Sequence, residues 1–268
     1  MQNGYFSHRD TSVNIRLNTR GWNDGATPNP APFYMSTAGY GVYRNTMTPG
    51  KYDFLAPLAL SHDEPRFDAY YFYGPSLKKI LDDYTLVTGR PFMMPRWGLG
   101  FGDSDCYNKT GKTIDVVAKV AEKYRANDMP GDWIMPNDGY GCGYQELPET
   151  IAALRKLGFV SGLWTENGLE RIATEVRDFG SRAMKLDVAW VGRGYQFALN
   201  GMRDAYNGIE KNADSRGFVW TTCAWAGGQR YATIWSGDQS GNWEYIRFHI
   251  PTVIGAGLSG FNAATGDV

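Results

Sequence analysis

The chain has 268 residues, with 27 Lys and Arg against 28 Asp and Glu, a net charge of −1 with His neutral. That balance supplies no basic field for phosphates, so nucleic acid is excluded as a first partner, and no apolar run reaches the roughly 18 residues of a membrane span. A hydrophobic share of 43% with 21% charged residues is that of a globular chain and not of a disordered one.

Two counts stand out: 33 Gly, and an aromatic set of 13 Phe, 17 Tyr and 9 Trp. Aromatics bury much area, so most of them are expected in the core; the other use of such residues is a cleft whose Trp and Tyr faces stack on sugar rings. Cys106, Cys142 and Cys223 are widely spaced and odd in number, which argues against a disulfide framework and for isolated buried thiols. His8, His62 and His249 share no metal-ligand spacing. The first residues, Met1-Gln2-Asn3-Gly4-Tyr5, lack a basic and then apolar leader, so no signal peptide is visible; a cytoplasmic and a secreted location are both compatible with the sequence.

Residues 1–73 read as strands and turns. Val13, Ile15 and Leu17 alternate with polar residues, Asn23-Asp24-Gly25 and Pro28-Asn29-Pro30 are turns, and Tyr40–Tyr43 and Tyr70–Tyr73 are short strands. Residues 74–95 form a connector, with a helix capped by Ser76 that carries Leu77, Ile80, Leu81 and Tyr84 at helical spacing and ends at Gly89. From residue 96 short apolar strands alternate with amphipathic helices. Strands are predicted at Trp97–Asp103, Trp133–Asp138, Val160–Trp164, Ala183–Val188, Phe218–Ala224, Thr233–Trp235 and Leu258–Phe261. Helices are predicted near Thr113–Ala126, Leu147–Leu157, Leu169–Phe179, Tyr195–Ala213 and Trp243–Ile254.

Repeated βα units imply a parallel sheet under helices. No Gly-x-Gly-x-x-Gly turn follows the first strand, which disfavours a dinucleotide fold. The expected architecture is a (β/α)8 barrel over residues 96–268, preceded by the end of a β-sandwich. A complete barrel takes about 250 residues, so the barrel is expected to lack its last βα unit. Polar residues recur just past the strands, where a barrel builds its active site: Asp103, Asp105, Asn137, Asp138, Glu166, Asp187, Asp238 and Asn262. Asp187 and Asp238 each end an apolar strand. Two such carboxylates facing one cleft can break a glycosidic bond, one attacking the anomeric carbon and the other protonating the leaving oxygen. The alternative for each is a cap of the helix that follows, the commoner role of a lone Asp after a strand.

Several motifs resemble glycoside hydrolase family 31. They are Tyr73-Gly74-Pro75-Ser76-Leu77-Lys78 with Thr88-Gly89-Arg90-Pro91, Met94-Pro95-Arg96-Trp97-Gly98-Leu99-Gly100, Arg230-Tyr231 with Trp235-Ser236-Gly237-Asp238 and Trp243-Glu244, and Gly257-Leu258-Ser259-Gly260. Pro32-Phe33-Tyr34 to Gly39-Tyr40-Gly41-Val42 looks like the end of that family's N-terminal β-sandwich. Lys185-Leu186-Asp187-Val188-Ala189-Trp190 and Asn137-Asp138-Gly139-Tyr140-Gly141-Cys142-Gly143-Tyr144 look most like members acting on isomaltosyl and cyclic α-glucans, the isomaltosyltransferase and cycloalternan-type enzymes.

The resemblance implies a retaining α-glucosidase or α-transglucosylase acting on α-glucans or isomalto-oligosaccharides, with Asp187 as nucleophile and Asp238 as acid/base. In a retaining enzyme the two carboxyls lie about 5–5.5 Å apart, and the acid/base has a raised pKa. Asp138 is implied as a ligand of the sugar hydroxyls, against a turn role beside Pro136 and Gly139. Candidate sugar platforms are Tyr140, Tyr144, Trp164, Trp190, Trp225 and Trp235, each with a core alternative. Lys185 is a candidate contact of substrate or of Asp187, and Arg230, with Gln229, of the loop beneath Asp238. Two departures bear on specificity: Val188-Ala189-Trp190 stand where the family places Met, Asn and Glu after its nucleophile, and Thr222 stands where many members carry an Arg. No cofactor or metal is implied. The competing class is an inactive carbohydrate-binding fragment of such an enzyme.

Overall fold

The computed structural model describes residues 7–16, 30–106, 112–139, 142–165, 168–238 and 241–267. Leu17, the Asn23-Asp24-Gly25 turn, Pro28-Asn29, Tyr140 and Glu166 lie outside them. The chain forms two compact units that interleave in sequence. One comprises residues 1–92, 188–202 and 220–268; the other comprises residues 93–187 and 203–219.

The first unit opens with six strands: β1 (Ser12–Ile15), β2 (Phe33–Ser36), β3 (Tyr40–Arg44), β4 (Gly50–Asp53), β5 (Ala59–His62) and β6 (Ala69–Tyr73). They form two antiparallel three-stranded sheets, β1-β4-β5 and β2-β3-β6. β1 alternates exposed and buried residues, as its sequence period requires. Tyr34 on β2 meets Tyr52 of β4 and Phe54 edge-on, with ring centroids 6.2 and 5.1 Å apart, so aromatic rings fill the space between these sheets.

Helix α1 (Leu77–Thr88) begins where Ser76 accepts a hydrogen bond from the Lys79 amide at 3.3 Å and ends at Gly89, whose φ of +103° suits glycine. Its inner face, Ile80 and Tyr84, packs with Phe33, Tyr43 and Phe72 in one core; the Phe33 and Tyr84 rings stack 3.8 Å apart.

The barrel sheet has seven strands whose spatial order follows chain order. They are β7 (Gly102–Ser104), β8 (Trp133–Met135), β9 (Val160–Trp164), β10 (Ala183–Leu186), β11 (Phe218–Thr221), β12 (Thr233–Trp235) and β13 (Ala264–Thr265). The pairs β7·β8, β8·β9, β9·β10, β11·β12 and β12·β13 are all parallel. β9, β10 and β11 are buried over nearly their whole length, as strands covered on both faces must be.

Between the strands run α2 (Glu122–Ala126), preceded by a π-helical turn over Val117–Ala121, α3 (Leu147–Lys156), α4 (Ile172–Thr174), continued by a π turn over Glu175–Phe179, α5 (Val188–Val191), α6 (Tyr195–Asn212) and α7 (Trp243–Gly257). In the second unit Val116, Ala121, Ile134, Leu154 and Phe159 form the core under α2 and α3.

Several predicted elements differ: the strands expected at Ala183–Val188 and Phe218–Ala224 end at Leu186 and Thr221, with Val188 opening a helix. Trp97–Asp103 is not one strand: Arg96–Leu99 is a 3-10 turn and only Gly102–Ser104 pairs. Gly102 lies so close under Trp133 that a Cβ there would meet the indole, and the pairing starts only at this glycine. The strand predicted at Trp133–Asp138 stops at Met135, because Pro136 has no amide to continue a ladder. Leu258–Phe261 is the closure of α7: the Leu258, Ser259 and Phe261 amides donate to Ile254 O, Ala256 O and Ala256 O, and Gly260 takes φ +92°. The strand follows three residues later, at Ala264–Thr265.

Candidate active site

The second unit gathers four of the expected site residues at the carboxyl ends of β8, β9 and β10. Asp187 follows β10 directly, and its Oδ2 accepts a hydrogen bond from the Trp164 indole N–H at 3.3 Å. Trp164 is the last residue of β9 and stands in register beside Lys185 of β10. The Lys185 ammonium is 5% exposed and lies 2.6 Å from Asp138 Oδ1, while the Ser104 hydroxyl donates to Asp138 Oδ2 at 2.8 Å. Both oxygens of Asp138 are therefore held, one by a charge and one by a hydroxyl. Thr165 fixes the strand ends by donating from Oγ1 to Lys185 O at 2.7 Å.

Tyr144 has a bracing role here. Its buried hydroxyl accepts from the Trp164 amide at 2.6 Å and donates to Asn137 O at 3.5 Å, tying the loop of Asp138 to the strand of Trp164. Burial holds the Tyr144 phenol protonated well above its usual range. Beside it lies a cavity of about 240 Å³ walled by Asn137, Tyr144, Trp164, Arg171 and Glu175. Burial raises the Glu175 carboxyl, and Arg171 partly offsets the rise.

The first unit carries the other residues. Asp238 is exposed, three residues past the end of β12. Trp235, the last residue of β12, is 2% exposed and donates its indole N–H to Asp267 Oδ1 at 2.8 Å. Ser236 Oγ lies 3.2 Å from His249 Nε2 of α7. Trp190, on α5, stacks on Phe197 with centroids 5.4 Å apart. Trp225 is fully buried, stacks on Tyr195 and donates its indole N–H to Thr46 O at 3.0 Å, so its ring is a core contact and not an open platform.

Arg230 sits before β12, at the amino end of the strand, opposite the end that leads to Asp238. Its side chain lies over Gly89 and Tyr231, and its Nε donates to Gly227 O at 3.1 Å. Gln229 is fully buried beside it and donates to Thr88 Oγ1 and Gly89 O. This pair locks the end of α1 to the segment before β12; it does not reach the carboxyl end of that strand.

Two features escaped the sequence reading. Ser104 completes the hold on Asp138. Cys106 and Cys142 are joined by a disulfide, with Cα atoms 6.0 Å apart, which corrects the expectation of isolated thiols; only Cys223 is a free buried thiol. The signal was there: β7 and β8 are neighbours in a parallel sheet, and each of the loops leaving them carries one Cys.

Parallel strands in sequential order, with carboxylates clustered past their carboxyl ends, define a TIM-barrel fold whose site is acidic. A family model described as the glycosyl hydrolases family 31 TIM-barrel domain matches residues 195–268. An α-xylosidase from Saccharolobus solfataricus is 22% identical over 88% of this chain and 42% of its own length. A GH31 dextranase from Flavobacterium johnsoniae, solved with glucose, superposes with a TM-score of 0.83 at 18% identity, over 100% of this chain and 44% of that one. The cycloalternan-degrading enzyme from Trueperella pyogenes, also solved with isomaltose, superposes at 0.79 and 17% identity, over 97% of this chain and 53% of that one. The chain thus spans less than half the length of the α-xylosidase and of the dextranase.

Proposed function

We propose that the protein is a retaining glycosidase or transglycosylase acting on the α-glucosidic linkages of α-glucans and isomalto-oligosaccharides. The observation that carries this reading is the set Asp187, Trp164, Lys185 and Asp138, joined by hydrogen bonds and an ion pair at the carboxyl ends of β8–β10. The names of the relatives support it: an α-xylosidase, a dextranase and a cycloalternan-degrading enzyme.

In this reading the Asp187 carboxylate attacks the anomeric carbon from one face of the sugar. The Trp164 N–H fixes the orientation of the attacking carboxylate. Asp238 protonates the departing oxygen, then takes the proton from the incoming water or sugar hydroxyl. Asp138, its two oxygens held by Lys185 and Ser104, accepts hydrogen bonds from sugar hydroxyls. Transfer to water gives hydrolysis, and transfer to a second sugar gives transglycosylation; product analysis at high glucan concentration separates the two.

A fluorinated α-glucosyl reagent that traps the glycosyl-enzyme tests the assignment in the full-length protein. The label is expected on Asp187. Label elsewhere, or undiminished turnover after Asp187→Ala, overturns it. Isomaltose binding with no turnover and no label would establish the competing reading of a carbohydrate-binding protein.

A further inference from the structure

The loops that leave β7 and β8 are joined twice within a few residues. Ser104 Oγ donates to Asp138 Oδ2, and two residues beyond Ser104 the Cys106 sulfur is bonded to Cys142, four residues beyond Asp138. Asp138 is thus enclosed between a covalent and a hydrogen-bonded crosslink that run between the same two loops. The segment from Cys142 to Tyr144 adds a third tie, since the Tyr144 hydroxyl holds the Trp164 amide, and the Trp164 indole holds Asp187. Cys106 and Cys142 are both partly exposed, within reach of a small thiol. On either side of Cys142, Gly139 sits at φ +146° with no atom near the position of a Cβ, and a Cβ at Gly143 would likewise meet nothing.

We propose that the Cys106–Cys142 bridge is a positioning device for Asp138, so that sugar binding depends on the oxidation state of this pair. The inference rests on the assignment of Asp138 as a sugar ligand. Reduction by a dithiol such as dithiothreitol adds two electrons and two protons. The S–S bond breaks to give two thiols, and the dithiol closes into its own disulfide. Freed of the bridge, the β8 loop loses its covalent tie to the β7 loop, and Asp138 keeps the Ser104 and Lys185 contacts. Misplacing a binding group by an ångström costs up to about a hundredfold in kcat/KM.

The test compares oxidised protein, dithiothreitol-treated protein and the Cys106→Ser/Cys142→Ser variant, with isomaltose affinity by calorimetry and melting temperature in parallel. The expected result is a loss of roughly tenfold or more in affinity on reduction, the same loss in the double variant, and no further effect of dithiothreitol on that variant. Ser104→Ala, which leaves the disulfide in place, is expected to weaken binding in the same direction and serves if the double variant does not fold. Asp138→Ala separates the two readings. If it loses binding while reduction and the double variant change only the melting temperature, the bridge is merely structural and this proposal fails alone. If Asp138→Ala binds as the parent does, the assignment of Asp138 fails and the proposal falls with it.

Discussion

Single residues set the electrostatics of the site. Among the described residues, Lys185 is one of the buried cations, and Asp138 is its counter-ion at 19% exposure. Removing the cation leaves a poorly solvated carboxylate, which costs more than the pair itself is worth. Lys185→Met is expected to lower unfolding free energy by about 2 kcal/mol, checked by urea denaturation, and to weaken sugar binding. Glu175 is the opposite case, a carboxyl raised by burial. Its folded state holds the proton more tightly than the unfolded chain, so its contribution favours folding at low pH and is lost as pH rises through the folded pKa. Glu175→Gln should therefore melt higher than the parent at pH 7, with the gap closing as pH falls through the carboxylate range; a gap that is the same at pH 4 and pH 7 would contradict this.

At the scale of elements, what could be read from the sequence was what local chemistry determines. β9, β12, α1, α3 and α6 fall where period and caps place them, because Ser76, Gly89 and the apolar spacing act within a few residues. The short strands β2, β4 and β5 carry no such pattern: Phe33–Ser36 and Gly50–Asp53 are defined by their partners in the sheet, not by alternation. β7 was overread because Trp97, Leu99 and Phe101 look like a buried strand, yet Leu99 is 73% exposed. The site residues divide in the same way. The positions of Asp187 and Asp138 past apolar strands are legible, whereas the contacts of Ser104, Tyr144 and Cys106–Cys142 depend on which strands are neighbours. Trp225, expected as a sugar platform or a core ring, and Arg230, in the Arg230-Tyr231 motif, make packing contacts with Tyr195 and Gly89. Gly89 is the element boundary with the sharpest demand: φ is +103°, and a Cβ there would run into the Arg230 side chain. Gly89→Ala is expected to cost about 2 kcal/mol in a denaturant titration, and a neutral result would show that α1 does not need this stop.

For the molecule as a whole, the cysteines give a direct count of covalent state. Cys223 is fully buried, and burial pushes its thiol up to about 12, so it stays protonated and unreactive at pH 8. A thiol reagent should find no reactive cysteine in the native oxidised protein, one after unfolding without reductant, and three after unfolding with it. Three thiols in the unreduced unfolded chain would show that Cys106 and Cys142 are not paired.

The interleaving of the two compact units has a consequence for inheritance. The chain passes from one unit to the other four times, after Phe92, Asp187, Met202 and Val219. No single break in the gene yields either unit as a contiguous piece, so the two cannot be shuffled as separate modules. Asp187 is the last residue before one of these crossings, and α5 begins at the next residue. An insertion at that junction would lengthen the link between the units and displace the proposed nucleophile in the same event, so natural length variation in this stretch is expected to accumulate elsewhere.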